Sequence, residues 1–174
     1  MKIRSDIYKE VQTGLNAGKR KEQIYNELKD NHPAASVERS LAQWPYPADK
    51  EKNRFLNIPL LIIVIVFALE KILHIAAVFQ TLEPGQIAAA GLTVLIHLYI
   101  IYGVKNYNLI GYLLVLLMAA TTLLSTRSLG AGNMLALALS AAALALAWIQ
   151  KTRLFPNVSL LLKHKKDSNG NIIF

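Results

Sequence analysis

Cysteine is absent from the 174 residues. No disulfide, thiolate nucleophile or cysteine-held metal site can form. Charge is almost absent from residues 55–150, where only Glu70, Lys71, Glu83, Lys105 and Arg127 carry it. A segment of that length with so little charge has no polar face to show water, which argues against a soluble helical core. Acidic residues are scarce as well: 11 against 19 Lys and Arg, for a net charge of +8. Motifs are the last absence. The chain contains no HExxH, no nucleophile elbow and no Gly-rich phosphate loop, so the reaction classes those patterns mark are not indicated. A non-enzymatic protein without a cofactor or metal is expected, with an intramembrane enzyme only as a third reading.

What the chain does have is four apolar stretches at 58–79, 86–104, 108–126 and 131–150, joined by short connectors. A helix rises ~1.5 Å per residue, so each stretch reaches across the ~30 Å of a bilayer core. A bilayer offers the backbone no water, so a spanning segment closes its own hydrogen bonds as a helix. The connector TLEPGQ carries Pro84 and Gly85, GVKNY covers 103–107, and SLGAG covers 128–132. Such short links make neighbours antiparallel. The predicted fold is an all-α membrane protein, a four-transmembrane-helix up-down-up-down bundle over 58–150.

Orientation follows from Lys and Arg. Residues 1–54 hold eleven and residues 151–174 hold five, and Lys105 lies in the middle connector. With four crossings all of these share one side, opposite Glu83 and Arg127. The positive-inside rule assigns that side to the cytoplasm, giving a multi-pass protein of the plasma or inner membrane with both termini cytoplasmic. The basic flanks suit anionic lipid headgroups better than nucleic acid. The first 55 residues are mostly polar, so no cleavable signal peptide is expected.

Residues 1–44 read as a cytoplasmic three-helix segment. Ser5 is expected to cap a helix with Ile7, Val11 and Leu15 on one stripe, stopped at Gly18. A second helix at 21–29 aligns Ile24 and Leu28. A third at 35–43 presents Val37 and Leu41, with Trp44 following. The pair has a faint helix-turn-helix look, but the last helix is not strongly basic, so a helical interaction module is expected rather than a DNA reader. Residues 45–57 form an interfacial linker. Trp44, Tyr46 and Trp148 are the expected headgroup anchors, since an aromatic ring with one wet edge suits that level. The basic tail, 151–174, carries an Asn-Gly pair at 169–170. It is read as a β-hairpin over 158–174, pairing 158–163 with 171–174, or else as an interfacial tail with 160–162 dipping into lipid. His32 and His164 sit in polar segments and read as solvated.

The first stretch carries Glu70, Lys71 and His74 among apolar residues. Charge at mid-bilayer costs roughly 2.5–3.5 kcal/mol on insertion scales, so such residues seek partners. By depth, Glu70, His97 on the second stretch and Ser140 on the fourth share a layer ~15 Å from the outer face. Three readings follow for the cluster Glu70, Lys71, His74, His97 and Ser140. It is a structural network, a protonatable pathway centred on Glu70, or a surface facing another membrane protein. His74 and His97 differ in depth by about 6 Å, which disfavours a shared haem or metal. The fourth stretch is rich in Ala, which permits close helix contact and points to a homo-oligomer through it.

Four stretches with one Glu in the first resemble the small multidrug-resistance transporters. That resemblance implies a dimer in which Glu70 binds protons and cationic compounds. The chain departs from that pattern at Lys71, which repels cations, in its long N-terminal segment and in its tail. The expected function is therefore interaction, scaffolding or regulation, with a protein partner at the cytoplasmic ends. A small proton-coupled carrier or channel using Glu70 is the alternative. A C-terminal fluorescent-protein fusion is expected to fluoresce, and a C-terminal alkaline-phosphatase fusion to stay inactive. Active phosphatase would place the tail outside and overturn the orientation.

Overall fold

The computed structural model describes residues 2–125, 134–169 and 171–174. Among them the elements are helices, with no strand. In chain order they are α1 (Lys2–Asn16), α2 (Lys21–Leu28), α3 (Ala34–Gln43), α4 (Pro47–Lys52), α5 (Arg54–Val78), a 3-10 turn (Phe79–Thr81), α6 (Pro84–Lys105), α7 (Leu109–Ser125) and α8 (Met134–Leu154). The chain divides into two compact units. The terminal unit joins Met1–Asn53 to Lys151–Phe174, and the apolar unit is Arg54–Gln150.

The terminal unit has the core that the sequence stripes mark out. Ile7, Val11, Leu15, Ile24, Val37, Leu41 and Trp44 are buried together, and Tyr25, Leu28, Tyr46 and Phe174 pack against them. The helices begin and end for local reasons. Gly18 adopts a left-handed φ of 77°. It closes α1 by the Schellman pattern, with Lys19 N–H donating to Gly14 O at 3.0 Å and Gly18 N–H to Leu15 O at 3.1 Å. Arg20 N–H donates to Gln23 Oε1 at 3.0 Å, half of a capping box at the start of α2. α1 begins at Lys2, ahead of the cap expected at Ser5.

The tail does not form the expected hairpin. Val158 bridges His164 and Lys166 bridges Ile172, both antiparallel and isolated. The chain therefore reverses at 159–163, inside the segment expected to be the first strand. There Ser159 N–H donates to Lys163 O at 2.8 Å, and Leu162 takes a φ of 60°. The Asn-Gly signal lies partly outside the described residues, but Asp167 Oδ1 accepts from the backbone N–H of Asn169 and Asn171. Such an Asx turn places the second reversal where the sequence expected one.

In the apolar unit three helices are long and apolar enough to cross a membrane: Arg54–Thr81 (α5 with its 3-10 turn), Pro84–Lys105 and Met134–Leu154. The fourth apolar helix, Leu109–Ser125, has 17 residues. Pro59 is the sixth residue of α5, past the first turn, so it has no N–H to donate to the Phe55 carbonyl. Pro84 occupies the first turn of α6, where its missing N–H is not needed.

The link from α6 to α7 is a second Schellman motif. Asn108 N–H donates to Gly103 O at 2.8 Å and Tyr107 N–H to Val104 O at 3.1 Å. Tyr107 takes the left-handed position with a φ of 58°, an uncommon place for a bulky side chain. Asn108 Oδ1 then accepts from Ile110 N–H at 2.9 Å and caps α7. This turn folds the two helices back so tightly that their glycines touch. A Cβ on Gly103 would stand 2.7 Å from the Gly111 backbone. Lipid supplies no hydrophobic drive between helices, so such close backbone contact is the main source of association.

Replacing Gly103 by Ala is expected to lower the thermal midpoint of detergent-solubilised protein by several degrees. The added methyl meets backbone rather than a flexible side chain, and overpacking typically costs ~1–3 kcal/mol. Gly91→Ala is the control, because a Cβ there meets nothing within 4 Å. It should leave the midpoint unchanged or raise it. Equal effects would remove the close crossing as the explanation.

Candidate functional site

Two regions hold polar side chains where the surroundings are apolar. In the apolar unit, Glu70 and Lys71 form a pair with Nζ 3.8 Å from Oε1, and their side chains are 57% and 49% exposed. His74 is exposed beside them. His97 is buried. Its Nδ1 lies 2.8 Å from Thr93 O. A carbonyl only accepts, so Nδ1 carries the proton, and in the neutral ring Nε2 is left as an acceptor. Ser140 is fully buried, with no hydrogen-bond partner for Oγ among the described residues. The expected layer of Glu70, His97 and Ser140 is therefore not assembled by direct contact. Which face each of them occupies is set by packing, which periodicity leaves open on an apolar helix.

His97 instead lines a largely apolar groove of about 310 Å³ with Thr93, Leu117, Met118 and Thr121. Thr93 hydrogen-bonds the Ala89 carbonyl, and Thr121 and Thr122 that of Met118. Their hydroxyls are thus directed at backbone in their own helices. Ser140, Ala143 and Ala147 share one face of α8 and are fully buried, so this small-residue face is already covered by the chain itself.

The polar network that the sequence reading missed is built on Asn57. It is buried in α5. Its Nδ2 donates to Val104 O at 3.0 Å, and its Oδ1 accepts from Tyr112 Oη–H at 2.6 Å. One amide therefore ties α5 to α6 and α7. It gives a second hydrogen bond to the Val104 carbonyl, near the end of α6, which already accepts from Tyr107 N–H in the turn. The signal was present: an Asn near the start of an apolar stretch and a Tyr four residues into another.

The second region is a pocket of about 230 Å³ in the terminal unit, lined by Lys21, Tyr46, Asp49, Arg153, His164 and apolar neighbours including Phe155 and Phe174. Lys21 is the first residue of α2 and is only 5% exposed. Its backbone N–H donates to Tyr46 Oη at 3.1 Å, and its Nζ stands 5.5 Å from the centre of the Tyr46 ring. Burial pulls the Lys21 ammonium down to about 8, with Asp49 opposing. His164 is brought in by the tail: its backbone N–H donates to Glu38 Oε1 at 3.3 Å, and its ring stands edge-on to Phe174, centroids 5.0 Å apart. Both ring nitrogens are buried without a hydrogen bond. Burial, and then the charge of Lys21, push the imidazole down to about 4. His164 is thus neutral near pH 7, and the 3.9 Å approach of Nδ1 to Glu38 is not an ion pair.

Three sequence expectations change here. His164 is buried rather than solvated. Trp44 lies in the core of the terminal unit, and Tyr46 lines the pocket, so neither ring is free to anchor in headgroups. Trp148 is half exposed, as an anchor would be. The second histidine read as solvated, His32, is partly buried, with Nε2 3.3 Å from Glu10 Oε2. Among the described residues no three His, Cys, Asp or Glu come together to hold a metal. No family model matches the chain, and no curated protein or solved structure matches it either.

The two buried bases give the terminal unit a stability that depends on pH in two windows. His164 is held neutral in the fold, so between its ordinary 6.5 and its native value of about 4 the unfolded chain binds the extra proton. Stability is lost as pH falls through that window. Lys21 is easier to deprotonate in the fold, so stability rises as pH climbs from about 8 to 10.5. Lys50, lowered by burial, adds to the upper end. The urea midpoint of Trp44 fluorescence, read in a Trp148→Phe background in detergent, should show both rises. Lys21→Met should flatten the upper one, and a flat profile from pH 4 to 6.5 would refute the burial of His164.

Proposed function

We propose that this chain is a multi-pass membrane protein of interaction or regulatory type, whose folded ends carry the recognition of a partner. One observation carries the reading. The N-terminal helices and the C-terminal tail build one compact unit. Phe174 packs on Tyr25 with ring centroids 5.4 Å apart, and the His164 backbone hydrogen-bonds Glu38. Segments that share a core lie on one side of a membrane, so the chain crosses an even number of times. Three long apolar helices give an odd number. The reading therefore takes Leu109–Ser125 as the fourth crossing, although 17 residues span only ~25 Å and require some local thinning of the bilayer. The Lys and Arg distribution then favours the cytoplasm for both ends.

The alternative is a proton-coupled carrier centred on Glu70. It is less well supported, because Glu70 and Lys71 stand half exposed rather than enclosed in a pathway, and a second copy would have to cover them. Single cysteines can be introduced without first removing any, since the chain has none. Membrane-impermeant maleimide is expected to label K29C, N106C and K166C from one side of sealed vesicles and Q80C from the other. In proteoliposomes holding a pH dye, the interaction reading expects no proton flux above protein-free vesicles. Flux that disappears in Glu70→Gln would transfer the function to the apolar unit.

A further inference from the structure

The pocket of the terminal unit contains two buried bases, and among the described residues no acid is hydrogen-bonded to either side chain. Both ring nitrogens of His164 are buried without a hydrogen bond, and Lys21 Nζ is set against the face of the Tyr46 ring, 5.5 Å from its centre, within the field of Asp49. A buried polar group without a partner costs ~1–3 kcal/mol, and more when charged. Such groups are few in folded proteins, and the His164 ring calls for a reason. Arg153, exposed on the last turn of α8, adds a third base to the lining. Asp49 is the one side-chain carboxylate among the described lining residues, so with His164 neutral the lining side chains carry Lys21 and Arg153 against Asp49. Glu38 stands behind the ring of His164, 3.9 Å from it.

We propose that this pocket is a phosphate-monoester site, with Lys21 and Arg153 holding the phosphoryl oxygens and the His164 ring donating to a third from the buried side. A phosphate monoester fits better than a carboxylate. It brings three acceptor oxygens and close to two charges, enough to engage three donors on three different elements. The guanidinium offers a fork and the ammonium a compact charge. Phe155, Phe174 and Tyr46 leave room for an apolar or ring-bearing body on the ester. The phosphate has two sources, a soluble phosphate ester or an anionic lipid headgroup. The second is in reach because Arg153 and Leu154 are the last turn of a helix apolar enough to span a membrane.

The inference deepens the reading that the folded ends carry function, and it fails separately, because binding is measured without any transport or partner assay. The test uses the full chain in zwitterionic nanodiscs with labelled histidine, following the His164 ring by NMR. Inorganic phosphate is expected to raise the midpoint of His164 by at least one pH unit, equivalent to tenfold tighter binding to the protonated ring. Sulfate at matched ionic strength should do less than a third of that. A shift produced by inorganic phosphate assigns a soluble ester. A shift seen only when the nanodiscs contain phosphatidic acid assigns a lipid. Lys21→Met should weaken either effect at least tenfold, and Arg153→Gln, at an exposed position that leaves the core untouched, at least threefold. No movement with either source, an equal movement with sulfate, or a movement that survives both substitutions would overturn the site.

Discussion

Phe174 lies 149 residues from Tyr25 in sequence (174 − 25), yet the two rings are in contact. That contact, with the hydrogen bond from the His164 backbone to Glu38, closes the chain on itself. Everything between must leave the terminal unit at Asn53 and return to it at Lys151. For a stretch as apolar as 54–150 the return is the constraint. A helix that enters lipid has to come back, and each crossing must satisfy its own backbone. The short turns follow from the same demand. The link from α6 to α7 takes only Asn106, Tyr107 and Asn108, and all three backbone N–H groups donate to carbonyls of the last turn of α6.

The helices of the apolar unit are held by two different devices. At one level two glycines let α6 and α7 touch backbone to backbone, so dispersion acts at the shortest distance available. Beside it Asn57 bridges three helices through a carbonyl and a phenol. Hydrogen bonds between membrane helices are worth only ~0.6–2 kcal/mol each, so this amide contributes less by strength than by geometry. It accepts one register of α5 against Val104 and Tyr112 and leaves the others unsatisfied. Glu70 and Lys71 do the opposite. They face each other along one helix, and among the described residues neither is paired with another helix. A charged pair half exposed on a spanning helix leaves a desolvation cost that another membrane-embedded surface would relieve.

Sequence patterns carried the helices and the terminal core almost entirely. Ile7, Val11, Leu15, Ile24, Val37 and Leu41 are named by 3.6-residue periodicity against a polar background, where one face is plainly different from the other. Gly18 was legible for the same reason: a left-handed stop has one usual occupant. The membrane helices gave up their ends but not their faces. On an apolar helix every side looks alike, so the depth of Glu70 and His97 could be compared while their orientation could not. The tail failed differently. Its turn was sought at Asn-Gly, but the nearer reversal at 159–163 runs through Ser, three Leu and Lys. It forms there because Val158 and His164 find burial in the terminal unit, a tertiary cause that local turn chemistry does not record.

The pocket was illegible because its parts are ordinary alone. His164 reads as solvated from its polar segment, and no sequence pattern singles out Lys21 or Arg153. Only the fold shows that one stands at the start of α2, one ends α8, and one arrives on the tail. Their convergence is also costly in a way that packing does not explain. Methionine at 21 would fill the same volume, keep the contact with the Tyr46 ring and avoid desolvating an ammonium. Retaining the charge lowers the stability of the unit near neutral pH, where Lys21 is still mostly protonated at its depressed value of about 8. A hydrophobic core gains nothing from that arrangement. An anion site does, because a positive group already stripped of water binds an incoming oxygen without first giving up its own hydration.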